Sequence, residues 1–543
     1  MTRWRGLQSW WGVLPVALLV LIVWPEHAFV PIWDGNVYLQ CVVDAAAGGL
    51  NVHSLRCGGH QSQLYMGLLA LTQLGQPGNV AAIVAMNVAL AVAALAAFNA
   101  ILLRLIPGDG FRVERALIVL IIAVHPLLAA TLVQLNTDFG VYVFFAMTLA
   151  ALVWRRYWLV AAFGLMLCFS KETGALIYFA AIALHLLFRV IEERASSAGV
   201  RGIVREAAPA LLPLILYGGF LVWWGATQNS YAVWNNGIHE HPAAGMHWFD
   251  FDDVILHSYA AIIFILGFAW IPTTVIVADV ALGAARVVRK VADRPLPGMD
   301  ARLAAYLAAL AATLVYLLTV YRTWSFPRYF AVLAPLLILA AFISLVRLGA
   351  GAAVRRGALA AAAIVLFTAN YASWDPVSRA LFGTLSLGES TVYDVSGIAH
   401  DFRVTDADHL CYNLQFTGFH WALNAMYAQL KPTSQTTIVF PRFNRWGLWA
   451  PLDARTFERV AVRNGTVTPD YADEAAIAAR REQMPRDLWL VEQPNDGDTL
   501  AVQKLHHDYA DADSARYTAH GLTVTARHLV RRDVPVLPSS DRR

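Results

Sequence analysis

Between residues 10 and 371, apolar stretches of membrane-spanning length follow one another, and beyond 371 they stop. A hydrocarbon core about 30 Å thick takes roughly 20 apolar residues as a helix, and inside it every backbone polar group must be satisfied within the segment. The first two thirds of the chain are therefore committed to a bundle of helices, and the last third is left to a soluble appendage. The stretches fall at 10–25, 78–103, 116–134, 138–154, 157–170, 173–189, 208–226, 256–284, 303–321, 329–346 and 357–371. The expected fold is a polytopic α-helical membrane protein with about 11 transmembrane helices. With 58% hydrophobic and 15% charged residues over 543, and a mean hydropathy of +0.51, a soluble class is excluded. The net charge of +3 gives no sign of nucleic acid.

Lys and Arg gather in cytoplasmic loops. With a cytoplasmic N-terminus, that side receives Arg3 and Arg5, Arg104, Arg112 and Arg115, Arg155 and Arg156, then Arg189, Arg194, Arg201 and Arg205. It also receives Arg286, Arg289, Lys290, Arg294 and Arg302, and finally Arg347, Arg355 and Arg356. The opposite side keeps Arg56, Lys171, Arg322 and Arg328, which stand out for that reason. An odd number of crossings carries residues 372–543 to the extracytoplasmic side. In that region "DHLCYNLQF" and "TTIVFP" read as strands, "DEAAIAARREQM" as a helix and "RRDVPVLPSSDRR" as a loose tail, which together make a small α/β or α+β domain. The N-terminal "VWPEHAFVP" lacks a small-x-small cleavage site, so the first stretch reads as a retained helix.

The first external segment, 26–77, is too long to be a plain connection. After Asp34 the apolar positions Val37, Cys41, Val42 and Ala45 step at helical spacing, and Gly48 and Gly49 offer a C-terminal stop. A second short helix is expected over about 62–74. Cys41 and Cys57 share this segment and can bridge in an oxidising compartment, closing a loop of about 16 residues worth roughly 3 kcal/mol. Cys168 lies in a span and Cys411 in the C-terminal region. The 227–255 connection is rich in Trp, Tyr, His and Asn, which suit either a headgroup anchor or a sugar platform.

Ionisable residues at membrane depth are costly, so those on the outer side are candidates for function. Asp34 either caps the helix that follows it or acts as a general base on an acceptor hydroxyl, with Trp33, Asn36 and Tyr38 beside it to contact a sugar. Asp44 lies ten residues on and does not share that proton. Asp138 in "QLNTDFG" either starts a helix or faces Asp34 as a second acid. Lys171 and Glu172 in "FSKETG" either pair with each other or leave the lysine to hold a phosphate. Arg328 in "SFPRYF" meets either lipid headgroups or a phosphate, for which its planar fork is suited. His239, Glu240, His241 and His247 form a loose cluster whose first three members converge on a metal only if the loop turns sharply, and no metal site is assigned. No phosphate-binding loop and no GxSxG motif is present, so nucleotide hydrolysis and serine hydrolase chemistry lack residues.

An acid after the first helix in a long helical loop, an acid after the third, "FSKETG" and "FPRY" resemble the GT-C superfamily of polytopic glycosyltransferases. Within it the chain looks most like the protein O-mannosyltransferase and aminoarabinose-transferase branch, over about residues 8–350. That branch often has two adjacent acids in the first loop, whereas here Asp34 is followed by Gly35. The resemblance implies inverting transfer of a sugar from a polyprenyl-phosphate carrier to a glycan, lipid or protein acceptor outside a bacterial inner membrane. It implies Asp34 and Asp138 as catalytic acids, and Arg328 and Lys171 as donor-phosphate holders. Trp33, Asn36, Tyr38, Glu172 and Tyr329 are then substrate contacts. No cofactor is required on this reading, and a divalent metal lacks support. The implied domains are 1–371 and 372–543. The rival class is a transporter or lipid-phosphate flippase, which needs charges in the middle of spans; Asp279 is the candidate, expected near the inner end of its own.

Overall fold

The computed structural model describes residues 10–27, 34–57, 60–193, 199–227, 264–289, 296, 298–320, 327–370, 386–387, 390–391, 438–439, 486–492, 507–519 and 522–532. Among the described residues, the regular elements are helices as far as Ala369 and strands beyond it. The helices are α1 (Trp10–Val23), α2 (Asp34–Ala47), α3 (Gln63–Leu71), α4 (Val80–Leu105), α5 (Arg112–Ala123), α6 (Pro126–Val133), α7 (Thr137–Val153), α8 (Tyr157–Cys168) and α9 (Glu172–Glu193). They continue with α10 (Gly199–Ala207), α11 (Leu212–Thr227), α12 (Trp270–Val288), α13 (Ala301–Val320), α14 (Leu333–Arg347) and α15 (Ala352–Ala369). Among the described residues, six helical runs are long and apolar enough to cross a membrane: Val80–Leu105, Glu172–Glu192, Gly202–Trp224, Ile265–Val288, Ala301–Thr319 and Ala352–Ala369. A seventh crossing results if α5 and α6, bent by 43° where they meet, are one span. The other expected stretches hold apolar helices of 10–17 residues, such as α7, α8 and α14.

The bend follows from the sequence. Pro126 has no N–H to give and pushes the residue before it out of the helical region. His125 accordingly sits at φ −68°, ψ 126°, and its ring accepts from the Leu127 N–H, starting a new helix. At the far end of α6, Leu135 takes a left-handed φ of 54°, a conformation that costs a non-glycine residue about 1 kcal/mol or more. That reversal delivers Asn136, whose side chain accepts from the Asp138 N–H and caps α7.

Two belts of charge stand at opposite ends of shared helices. At one end, Arg155 meets Glu192 at 2.9 Å, Arg302 meets Glu192 at 3.5 Å, and Arg355 and Arg356 each lie 3.3 Å from the fully buried Glu114. At the other, Asp138 begins α7 and Glu172 begins α9. At 1.5 Å per residue, α7 and α9 separate the belts by about 25 to 30 Å, the thickness of a hydrocarbon core. Asp279, expected near a helix end, stands well inside α12, buried and 3.6 Å from Arg347.

The first loop holds α2 and α3 as expected, and its Cys41–Cys57 disulfide is formed, with Cα atoms 5.6 Å apart. Tyr65 on α3 donates to Asn87 Oδ1 at 3.1 Å, and Asn87 donates to the Leu132 carbonyl at 3.0 Å. This buried relay ties the loop to α4 and to the end of α6.

Near the C-terminus, β1 (Ser386–Leu387) and β2 (Ser390–Thr391) form one small pair. Strands β3 (Ile438–Val439), β4 (Asp487–Glu492), β5 (Tyr509–Ala519) and β6 (Leu522–Arg531) form a mixed sheet in the order β3-β4-β6-β5. The β3–β4 pair is parallel, and the β5–β6 register ends at Ala519 opposite Leu522. The "TTIVFP" strand is present at Ile438–Val439, while "DHLCYNLQF" and "DEAAIAARREQM" lie outside the described residues.

Candidate active site

Asp138 is carried on the first turn of α7, and its carboxylate is turned away from helix-capping duty, which Asn136 performs. Lys171, in the short turn between α8 and α9, puts its ammonium 2.8 Å from Oδ1 and 3.0 Å from Oδ2 of Asp138. Arg328, in the 3-10 turn Pro327–Phe330 before α14, brings Nε to 3.2 Å from Oδ2, close enough for an ion pair but poorly aligned as a hydrogen bond. The three residues are 4%, 3% and 5% exposed. Charges taken this far from water are tolerable only when paired. The Tyr329 ring completes the group: Lys171 Nζ lies 4.0 Å from its centroid, within the range where a cation is held by the ring face. Segments that the sequence keeps far apart are thus joined in one buried cluster.

Glu172 does not pair with Lys171, its sequence neighbour. Its carboxylate takes the His60 ring at 3.0 Å and the Gln61 main-chain N–H at 2.8 Å, fastening the first loop to the start of α9. The Leu64 N–H donates to the Phe169 carbonyl at 3.2 Å, so Gln61–Leu64 runs beside Phe169–Glu172. Gly140 permits this closeness, since a Cβ there would stand 2.7 Å from Tyr65 Cγ and 3.1 Å from Ser170 Oγ.

Asp34 is the first residue of α2, and its side chain, that of Asn36 and the whole of Trp33 lie outside the described residues. Tyr38, one turn after Asp34, is buried with its ring centroid 6.5 Å from that of His60. A line of contacts therefore runs from Tyr38 through His60 and Glu172 to the turn that carries Lys171. Asp44 is exposed and accepts from Gln40 at 2.9 Å. Arg56 lies with its guanidinium carbon 5.7 Å from the Trp224 ring centroid. Arg322 and the loop histidines 239, 241 and 247 lie outside the described residues, as does Glu240. Among the described residues, no three His, Cys, Asp or Glu side chains are grouped to hold a metal.

The sequence reading missed His60, Gln61 and Asn87. His60 carried a signal, since "CGGHQSQ" places a histidine and two glutamines just before an apolar helix. Asn87 is one of two amides, with Asn99, inside the apolar run of α4, and an amide in a membrane helix marks a packed interface.

No protein-family model matches the chain, and no curated protein matches it. Among solved structures it is similar to ArnT from Cupriavidus metallidurans in the apo state, with a TM-score of 0.49 and 13% identity over 95% of this chain and 97% of that one. For the same protein bound to undecaprenyl phosphate, the TM-score is 0.45 and the identity 14%, over 95% and 98% of the two chains. For the archaeal oligosaccharyltransferase AglB from Archaeoglobus fulgidus, in complex with an inhibitory peptide and a dolichol-phosphate, the TM-score is 0.40 and the identity 9%, over 98% and 75%.

Proposed function

We propose that this chain is an inverting glycosyltransferase that moves a sugar from a polyprenyl-phosphate carrier to an acceptor outside the membrane. The observation that carries the reading is the convergence of Lys171 and Arg328 on Asp138 in one buried site at the end of the bundle opposite most of the arginines. Two buried cations beside an aromatic ring suit a lipid phosphate, and the guanidinium keeps its charge at any relevant pH. The membrane domain, 1–371, is then a GT-C-like bundle of about eleven crossings. Residues 372–543 form the external domain, and the N-terminus is cytoplasmic.

In the reaction, the acceptor hydroxyl oxygen forms a bond to the anomeric carbon from the face opposite the phosphate. The bond from that carbon to the phosphate oxygen breaks, and its electron pair stays on the phosphate. The hydroxyl proton passes to the Asp34 carboxylate. Lys171 and Arg328 stabilise the charge that grows on the departing phosphate, and Asp138 positions both cations. Trp33, Asn36 and Tyr38 on one side, and Glu172 and Tyr329 on the other, supply sugar contacts. A phosphate departs without nucleotide or obligatory metal. A transport reading needs a line of ionisable groups through the bundle, whereas Asp279 is already engaged by Arg347.

The reading is tested by native mass spectrometry of the gently purified chain beside Arg328→Ala. A polyprenyl phosphate or its glycosylated form accompanies the parent and is lost from the variant. In the matching turnover assay, Asp34→Asn lowers the rate by roughly 100-fold or more at equal expression. Full turnover by Asp34→Asn removes the acid from the mechanism, and a parent that keeps ordinary phospholipids but never a polyprenyl phosphate argues for the transporter.

A further inference from the structure

Lys171 has three N–H donors. Two oxygens of Asp138, at 2.8 and 3.0 Å, occupy one side of the ammonium, and the Tyr329 ring, 4.0 Å away, covers another. The same Oδ2 that accepts from Lys171 also faces Arg328 Nε at 3.2 Å. One carboxylate therefore sits at the point where both proposed phosphate-binding cations converge, and it occupies the position an anionic ligand would take. The residues are buried to 5% exposure or less, so solvent cannot hold the cations apart until the ligand arrives.

Resting on the phosphate-site reading above, we infer that Asp138 is an internal stand-in for the donor phosphate: it holds Lys171 and Arg328 together while the site is empty and yields them when a phosphate enters. It is a positioning residue, and the acceptor proton goes elsewhere. The exchange preserves charge pairing at each stage: carboxylate with two cations before binding, phosphate with the same cations afterwards. After sugar transfer the carboxylate competes with the spent lipid phosphate for the cations, which favours product release. A general acid or base needs an oxygen presented to the acceptor, whereas both oxygens of Asp138 face cations.

The inference predicts that removing an acid strengthens anion binding. Decyl phosphate and inorganic phosphate are titrated separately into the full-length chain in lipid nanodiscs, with the parent, Asp138→Asn, Lys171→Gln and the Lys171→Gln/Asp138→Asn double variant. Asp138→Asn is expected to bind decyl phosphate about tenfold more tightly than the parent. Lys171→Gln binds more weakly than the parent, and the double variant recovers about tenfold over Lys171→Gln. The double variant removes one charge of each sign, so it carries the test if Asp138→Asn fails to fold. A gain for both ligands shows that the headgroup alone is exchanged with the carboxylate; a gain for decyl phosphate alone shows that the chain must also be anchored; both support the inference. Equal or weaker binding by Asp138→Asn, or no recovery in the double variant, overturns it while leaving the phosphate site standing. Failure of every protein, the parent included, to bind decyl phosphate overturns the phosphate-site reading and this inference with it.

Discussion

At the scale of single residues, the site turns on one carboxylate, Asp138, that takes two cations from distant segments. In so apolar a chain Asp138, Lys171 and Arg328 are conspicuous, and the structure brings all three together. Which acid meets which base depends on tertiary packing: Lys171 passes over its neighbour Glu172 to reach Asp138, 33 positions upstream. Adjacent residues at a helix start point about 100° apart, so a side-by-side pair was the weaker geometry. Glycine positions were equally opaque, because what a Cβ would meet is set by other elements. Gly140, packed against Tyr65 and Ser170, is one case beside the site. Gly140→Ala would drive a methyl into the buried Tyr65 ring and Ser170, and overpacking of this kind costs about 1–3 kcal/mol. Thermal unfolding in detergent is expected to show that loss together with weakened phosphate binding. Gly218→Ala, on α11 with nothing among the described residues within 4 Å of the new methyl, serves as the control: it leaves phosphate binding unchanged and does not lower stability.

At the scale of elements, the helices of the bundle fall where apolar stretches end, because the hydrophobic pattern dictates them. The break between α5 and α6 was encoded in "HP", yet hydropathy alone reads 116–134 as continuous, since a proline hardly changes the mean. The sheet was less legible. Strand β5, "YADADSARYTA", lacks the apolar alternation that marks a half-buried strand, and only its pairing with β6 defines it. The first loop is the element on which the site leans: the disulfide holds Cys57 to α2, and three residues later His60 and Gln61 grip Glu172. Cys57→Ser is expected to cost about 2–4 kcal/mol by releasing that loop. Limited proteolysis should then cut between α2 and α3 in the variant before any cut appears in the parent, and turnover should fall with it. If the loop stays resistant and turnover is unchanged, its non-covalent contacts to Glu172, Phe169 and Asn87 suffice to hold it in place.

At the scale of the whole molecule, the two charge belts convert a statistical rule into geometry. The positive-inside pattern assigns Arg104, Arg155, Arg302, Arg347 and Arg355 to one side by counting, and the structure ties most of them to acids at a single end of the bundle. Asp138, Lys171, Glu172 and Arg328 share the other end, so the site and the arginine belt stand on opposite sides whichever way the chain is inserted. Labelling from one side of the membrane reads the sense of insertion. Gly108 is exposed in the connection between α4 and α5 with a φ of −78° that any residue adopts, and Ser514 is exposed on β5. Cysteine is placed at each in a Cys411→Ser background and challenged, in sealed right-side-out vesicles, with a membrane-impermeant maleimide against that background alone, whose Cys168 is buried and whose Cys41 and Cys57 are bridged. Ser514→Cys is expected to label at once and Gly108→Cys only after permeabilisation. The reverse pattern would put the arginine belt outside and the phosphate site in the cytoplasm. Labelling of both from outside would mean an even number of crossings between them, which would break the eleven-crossing arrangement and detach the C-terminal sheet's location from the count of helices.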